Sequence, residues 1–309
     1  MKIALAIGDP NGIGPEIAVK AAALFTKQSA VEVILVGDRH VIEHYGKPAT
    51  LFAVDALGPE AFSPGTLDPR AGRATVQYLR AAVNMVERGA ADAIVACPQS
   101  ETAINRAGIP FDGYAGLLAE LTGTPRDKTF LMLVAAGLRI AHVTLHESVA
   151  SALKRITRER VVDAGVAAAR ILERLKISSP KLGVFGINPH AGEDGLFGDE
   201  DERITRPAVA ELRRRGIAAD GPVGADLLLS QRQHDAYLAM FHDQGHIPVK
   251  LLSPLRSSAL SIGTPILFSS VGHGCAFDIA GKGVADAKSV VETLKLLGGV
   301  SQPAPPIAQ

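Results

Sequence analysis

The chain is short of the features that mark several classes of protein. Only two cysteines occur, Cys97 and Cys275. They lie far apart, each in a loop with proline or glycine, so neither a disulfide framework nor a thiolate zinc site is expected, and the compartment reads as reducing. Charge of one sign is missing as well. With 32 basic and 32 acidic side chains, no bulk field draws nucleic acid or an anionic membrane. Long apolar runs are also absent. The opening MKIALAIGDPNGIG has one lysine and an apolar stretch that breaks at Gly8, too brief for the core of a signal peptide, and nothing longer spans a bilayer. These absences leave a cytoplasmic enzyme working on a small molecule as the expectation, without nucleic-acid or membrane partners.

What is present is a large apolar fraction, 47% of 309 residues, enough for two cores. Runs rich in Ile, Val and Leu at Lys2–Ile7, Val31–Val36, Ala93–Ala96, Phe130–Val134, Arg139–Thr144 and Lys181–Phe185 read as strands. Amphipathic, alanine-rich segments at Thr75–Arg88, Arg158–Leu175 and Pro207–Arg215 read as helices between them. Alternation of this kind predicts an α/β fold with a mainly parallel sheet. The proline-bearing tail, Ser301–Gln309, reads as disordered.

The segment from Ser269 to Asp286, SSVGHGCAFDIAGKGVAD, holds a histidine and four glycines in one loop-like stretch. Glycines leave backbone amides bare, so a flat dinucleotide can approach closely, with Asp286 available to a ribose hydroxyl. An ordinary glycine-rich turn has the same composition. The stretch Gly8-Asp9-Pro10-Asn11-Gly12-Ile13-Gly14-Pro15-Glu16 follows the first strand, but its spacing matches neither the dinucleotide fingerprint nor a phosphate loop. Pro15 and Glu16 suit the first turn of a helix.

Four of the nine histidines, His146, His190, His242 and His273, sit in apparent loops after strands, where chemistry collects in α/β sheets. Three neutral imidazoles leave open positions on a divalent ion, as a catalytic site requires. The pairs His142/His146 and His242/His246 have helical spacing. However, His142 falls inside an apparent strand, and HDQGHIP contains glycine and proline, so His146 and His242 are taken as ligands and His142 and His246 as supporting residues. Cys97 and Cys275 read as packing residues.

The run from His273 to Gly283 resembles the cofactor loop of the isocitrate and isopropylmalate dehydrogenase superfamily. Together with GDPNGIGPE, NPHAGE and FHDQG followed by Lys250, it resembles the 4-hydroxythreonine-4-phosphate dehydrogenase family over roughly residues 1 to 298. That resemblance implies two α/β/α domains with a cleft between them. One is formed by 1–125 with 248–309 and carries the cofactor loop; the other, 126–247, carries the metal ligands and dimer contacts. It further implies NAD bound at Gly272, His273, Gly274, Ala276 and Asp286. One divalent metal, zinc foremost, is implied on His146, His190 and His242 between the subunits of a homodimer, with Asp243 and Lys250 in the active site.

Where members acting on phosphate esters carry a lysine, a Gly-His-Thr segment, an asparagine and an arginine, this chain has Glu101, Gly113-Tyr114-Ala115, Ala259 and Phe268. A buried dianion without such partners is costly, so a phosphate ester is not the expected substrate. The segments Ala96-Cys97-Pro98, Glu101–Ile104, Gly113-Tyr114 and Phe130–Val149 instead resemble a branch of the family from aromatic degradation. That branch implies oxidative decarboxylation of a cyclohexadiene cis-diol dicarboxylate, with Ser100, Tyr114 and Lys250 toward the substrate. Arg139 and backbone amides near Asn11 are further candidates for its second carboxylate. Whether Lys250 moves a proton or pairs with a carboxylate stays open here. A dehydrogenase of phosphorylated hydroxy acids, and a metal-dependent hydrolase using the same imidazoles, are the rival readings; the cofactor loop separates the latter.

Overall fold

The computed structural model describes residues 1–254 and 256–299, and the tail at 301–309 lies outside them. In chain order the strands are β1 (Lys2–Ala6), β2 (Glu32–Gly37), β3 (Leu51–Ala53), β4 (Ala93–Ala96), β5 (Phe130–Ala135), β6 (Leu138–His142), β7 (Lys181–Phe185), β8 (Ala218–Val223), β9 (Ala236–Ala239), β10 (Ser258–Ile262) and β11 (Phe268–Val271). All six strands read from the sequence form, within one or two residues of the expected ends.

The chain divides into two units, one of Met1–Gly123 with 265–299 and one of Thr124–Thr264. The return to the first unit comes at Pro265 and not at 248. Residues 248–264 stay with the second unit because β10 pairs antiparallel with β5, Ser258 opposite Val134 through Ile262 opposite Phe130.

In the first unit the order is β3-β2-β1-β4-β11, with every pairing parallel. Both faces of its central strands are buried, as a parallel sheet between helices requires. Ala4, Ile34, Val36, Ile94, Ala96 and Phe268 pack with Val76, Leu79 and Val83 of the helix Pro69–Glu87. Ile3, Leu5, Leu35 and Val95 are fully buried on the opposite face, which is covered by the helices Gly14–Phe25 and Lys288–Leu297. Because β1 is flanked by β2 on one side and β4 on the other, its carboxyl end is a switch point, the place where α/β sheets present ligand sites.

The second unit runs β10-β5-β6-β9-β7-β8. The pairings of β5 with β10 and β6 are antiparallel, and those among β6, β9, β7 and β8 are parallel. The helix Arg158–Arg174 lies against several of these strands. Leu133, Ile140, Phe185, Tyr237 and Val249 form a separate core with Leu228.

The expectation that glycine and proline keep HDQGHIP out of a helix does not hold. HDQGHIP is helical, within His242–Leu252, despite Gly245 and the internal Pro248. Gly245 is what permits the packing: a Cβ there would lie 2.3 Å from Nε2 of His142. Tertiary contact outweighs poor propensity in this segment.

Candidate active site

The segments that follow the carboxyl ends of β6, β7 and β9 carry His146, His190 and His242. The ends of β6 and β9 are tied by Val143 N–H donating to the Ala239 carbonyl (2.8 Å) and Thr144 Oγ donating to the Met240 carbonyl (2.6 Å). A cavity of about 320 Å³ opens beside them, lined by His146, Glu147, Val149, His242 and Asp243 among others. The rings of His146 and His242 are 5.6 Å apart, centroid to centroid. Asp243 Oδ1 lies 2.7 Å from Nδ1 of His242, which holds Nε2 as the nitrogen left for a ligand.

Behind this wall the rings of His242 and His246 stack at 3.6 Å and 10°. The helical spacing therefore does bring these two imidazoles together, as a stack within one helix. His246 Nδ1 lies 3.1 Å from Nε2 of His142, whose own Nδ1 faces the Leu131 carbonyl at 3.2 Å. Burial, reinforced by His246, pushes the pKa of His142 down to about 3, and burial beside His242 pushes that of His246 down to about 4. Both are neutral at physiological pH, in keeping with a supporting role.

His190 stands apart from this pair. It sits in a turn where His190, Ala191, Glu193 and Asp194 all have positive φ, between 41° and 56°. Its side chain is 74% exposed, with Nδ1 3.0 Å from Glu193 Oε2. Four non-glycine residues in the left-handed region are costly, and such strain gathers at functional sites. Among the described residues, no group of three or more His, Cys, Asp or Glu is arranged to hold a metal ion. His146 and His242 lie close together, and no third ligand joins them among the described residues.

Two residues that position these loops were not singled out from the sequence. Gln244 Oε1 accepts from the amides of Met240 and Phe241, while its Nε2 donates to the Gly186 carbonyl at 3.1 Å, joining the HDQG and NPH segments. Asp201, fully buried, accepts from the amides of Ile187 and Asn188 and from Thr205 Oγ. In sequence it lies in an acidic run that reads as solvated surface. Lys250, half-buried two turns beyond His242, donates to Ser257 Oγ at 3.0 Å, and burial lowers its pKa. Arg139 lies at the start of β6, with its guanidinium on the carbonyls of Gly137 and Asp235.

In the first unit the glycine-rich loop runs from Gly272 to Ala287 between β11 and the last helix. Open space lies where a side chain at Gly274 would be, and Ala276 has φ 42°. His273 Nε2 lies 2.6 Å from Ser289 Oγ, and Asp286 Oδ1 accepts from the Lys288 amide. Lys20 Nζ donates to Glu16 and to the carbonyls of Gly283 and Ala285, while Glu16 Oε1 accepts the Ala285 amide. Glu16 and Lys20 thereby strap the loop to the first helix. Exposed glycine backbone of this kind suits a dinucleotide.

Beside it, Ser100 caps the helix Glu101–Arg106, its Oγ accepting from the Ala103 amide at 3.1 Å. The hydroxyl of Tyr114 donates to the Cys97 carbonyl at 2.8 Å, and its ring lies 5.2 Å from that of Phe268, which is fully buried. These two aromatic residues pack on each other in the core. Both cysteines are buried free thiols, with pKa raised by burial.

Comparison with known proteins follows the same lines. Residues 7–297 match the family described as pyridoxal phosphate biosynthetic protein PdxA. The chain is 51% identical over 305 residues to a 1,2-dihydroxy-3,5-cyclohexadiene-1,4-dicarboxylate dehydrogenase from Comamonas sp, covering 96% of this chain and 97% of the relative. A terephthalate 1,2-cis-dihydrodiol dehydrogenase from Burkholderia xenovorans LB400 superposes with TM-score 0.78 at 47% identity, covering 97% and 98% of the two chains. A 4-hydroxythreonine-4-phosphate dehydrogenase from Klebsiella pneumoniae gives TM-score 0.85 at 32% identity, covering 97% of each chain. A β-decarboxylating dehydrogenase from Thermococcus kodakarensis, at 17% identity and TM-score 0.52 over 96% of this chain and 83% of that one, shares the fold.

Proposed function

Because this chain belongs to the PdxA family, whose named relatives here are dehydrogenases, we propose that it oxidises 1,2-dihydroxy-3,5-cyclohexadiene-1,4-dicarboxylate with NAD to protocatechuate, carbon dioxide and NADH. The observation that carries this reading is the 51% identity, across nearly the whole of both chains, to a relative with that substrate in its name. The replacements Glu101, Tyr114, Ala259 and Phe268 support it. Phe268 in particular fills with apolar ring the position where family members acting on phosphate carry a cation, and a phosphate left without charged partners there is disfavoured.

NAD would accept the hydride from the secondary alcohol, with the loop from Gly272 to Asp286 as its seat. The resulting ketone is β to the ring carboxylate, so loss of carbon dioxide leaves an enolate that becomes the aromatic catechol. A divalent ion on His146 and His242, completed by His190 from a second copy, would supply Lewis acidity to the two neighbouring diol oxygens. Asp243 fixes the ring of His242 for that task. Lys250 is the acid–base group of this reading: burial lowers its pKa, which makes its amine readier to exchange a proton with a substrate hydroxyl.

The test is absorbance at the NADH band for zinc-loaded protein given NAD and the cis-dihydrodiol, with chromatographic identification of the product. NADH and protocatechuate in equal amounts are expected. Turnover of 4-hydroxythreonine phosphate at a comparable rate, or NADH without protocatechuate, would overturn the assignment.

A further inference from the structure

The glycine-rich loop of the first unit is fastened at its two limbs by different means. The near limb is pinned by backbone: the Ile13 amide donates to the Cys275 carbonyl at 2.9 Å, and a Cβ added at Gly12 would lie 2.9 Å from that of Cys275. The far limb is intrinsically loose. Gly281 and Gly283 have φ of 76° and 75°, and residues 281–284 are exposed, Val284 to 66%. Ordering such glycine backbone costs more conformational entropy than ordering any other. The first helix supplies the order. Glu16 and Lys20 stand one turn apart on Gly14–Phe25, so their side chains share a face. From there Lys20 Nζ reaches Glu16 Oε1 at 2.6 Å, the Gly283 carbonyl at 2.9 Å and the Ala285 carbonyl at 3.1 Å, while Glu16 Oε1 accepts the Ala285 amide at 2.9 Å.

A lysine beside a dinucleotide loop invites assignment as the cation for a phosphate. The donor count is against that. An ammonium carries three N–H groups, and three acceptors of the fold already surround this one. Glu16 is only 2% exposed and its Oε2 has no hydrogen-bond partner, so drawing Lys20 away would leave a buried carboxylate with the Ala285 amide on its other oxygen. We propose that Glu16 and Lys20 are positioning residues for the dinucleotide: they hold residues 283–285 in their bound shape beforehand, so that cofactor binding does not have to order the limb. This rests on the dehydrogenase reading above, with the glycine-rich loop as the seat of NAD. Neither side chain touches the reacting atoms, so the consequence falls on cofactor affinity and not on the chemical step.

The experiment compares full-length protein with its Lys20→Met variant by hydrogen exchange without ligand, by calorimetric titration with NAD+ and by steady-state kinetics on the cis-dihydrodiol. With two carbonyl ties and the ion pair gone, exchange of the Ala285 amide, read in peptides covering 281–287, should quicken about tenfold, and exchange in the helix Pro69–Glu87 should not change. The dissociation constant of NAD+ should rise about tenfold, with kcat at saturating NAD+ within about twofold of wild type. Weaker NAD+ binding without faster exchange in 281–287 would mean that Lys20 meets the cofactor directly, and faster exchange with unchanged affinity would mean that the strap orders the loop without serving the cofactor. Either result overturns the proposal. A fall in kcat as large as the fall in kcat/KM overturns it too. If Lys20→Met does not fold because Glu16 is left unpaired, Glu16→Gln/Lys20→Met removes the buried charge together with the two carbonyl ties, and the same readouts decide. Wild-type protein that binds no dinucleotide overturns the dehydrogenase reading and this inference together, whereas NAD+ binding of equal strength in wild type and variant overturns this inference alone.

Discussion

Asp9 and His142 are buried groups whose protons move in opposite senses when the chain unfolds. The folded His142 titrates near 3 and the unfolded near 6.5, so across that window the unfolded chain binds the extra proton. Stability from His142 thus rises with pH and is fully present above about 6.5. Asp9 titrates near 6 when folded and near 3.8 when unfolded, so the folded chain binds the extra proton and stability falls as pH rises through that range. Between about pH 4 and 6 the two slopes oppose, each at most about 1.4 kcal/mol per pH unit. Urea midpoints of Asp9→Asn should therefore climb more steeply with pH than those of wild type over this window, and those of His142→Gln should decline. Parallel curves for all three proteins would show that neither group titrates as described. Motifs after two strands singled out His146 and His242 in the sequence, and the structure brings their rings to 5.6 Å of each other. The full burial of Asp9 was not legible, since it depends on loops distant in sequence that close over it.

At the scale of elements, six apolar runs were legible as strands, the four-residue β4 among them, whereas β3, β8, β9, β10 and β11 were not. β9 has four residues, β8 contains Gly221 and Pro222, and β10 and β11 are interrupted by serines; each is a strand because its neighbours pair with it. The helix His242–Leu252 was misread for a related reason. Its two breakers are tolerated because Gly245 seats against His142 and Gln244 secures the first turn. Ser100 shows how an element can claim a residue read as a substrate contact. As a cap for Glu101–Arg106 it should cost about 1 kcal/mol when changed to alanine, or a fall of about 2–4 °C in Tm for a domain of this size. A calorimetric scan of Ser100→Ala checks this, and a raised KM for the diol at unchanged Tm would instead place the hydroxyl on the substrate.

For the whole molecule, the division into two units followed from length and from strand–helix alternation, but its second boundary did not. The sequence around 248 gives no sign that β10 will pair back onto β5, because antiparallel partners leave no local mark. Placement of the histidines yields a sharper prediction for assembly. With His146 and His242 on one wall and His190 elsewhere, the proposed shared site predicts that mixing inactive His190→Ala and His242→Ala proteins restores activity, since one site of each hybrid dimer would be intact. Mixing His146→Ala with His242→Ala should restore none, and rescue in that pair would contradict the arrangement. No helix among the described residues is long and apolar enough to cross a membrane. The outward turn at His190 has one more consequence, and it concerns concentration. In the proposed shared site a borrowed imidazole would obey mass action, so specific activity should fall on dilution while each chain stays folded, and substrate or metal that binds only the pair would draw chains together. The amount of protein present would thereby become a control on the proposed reaction.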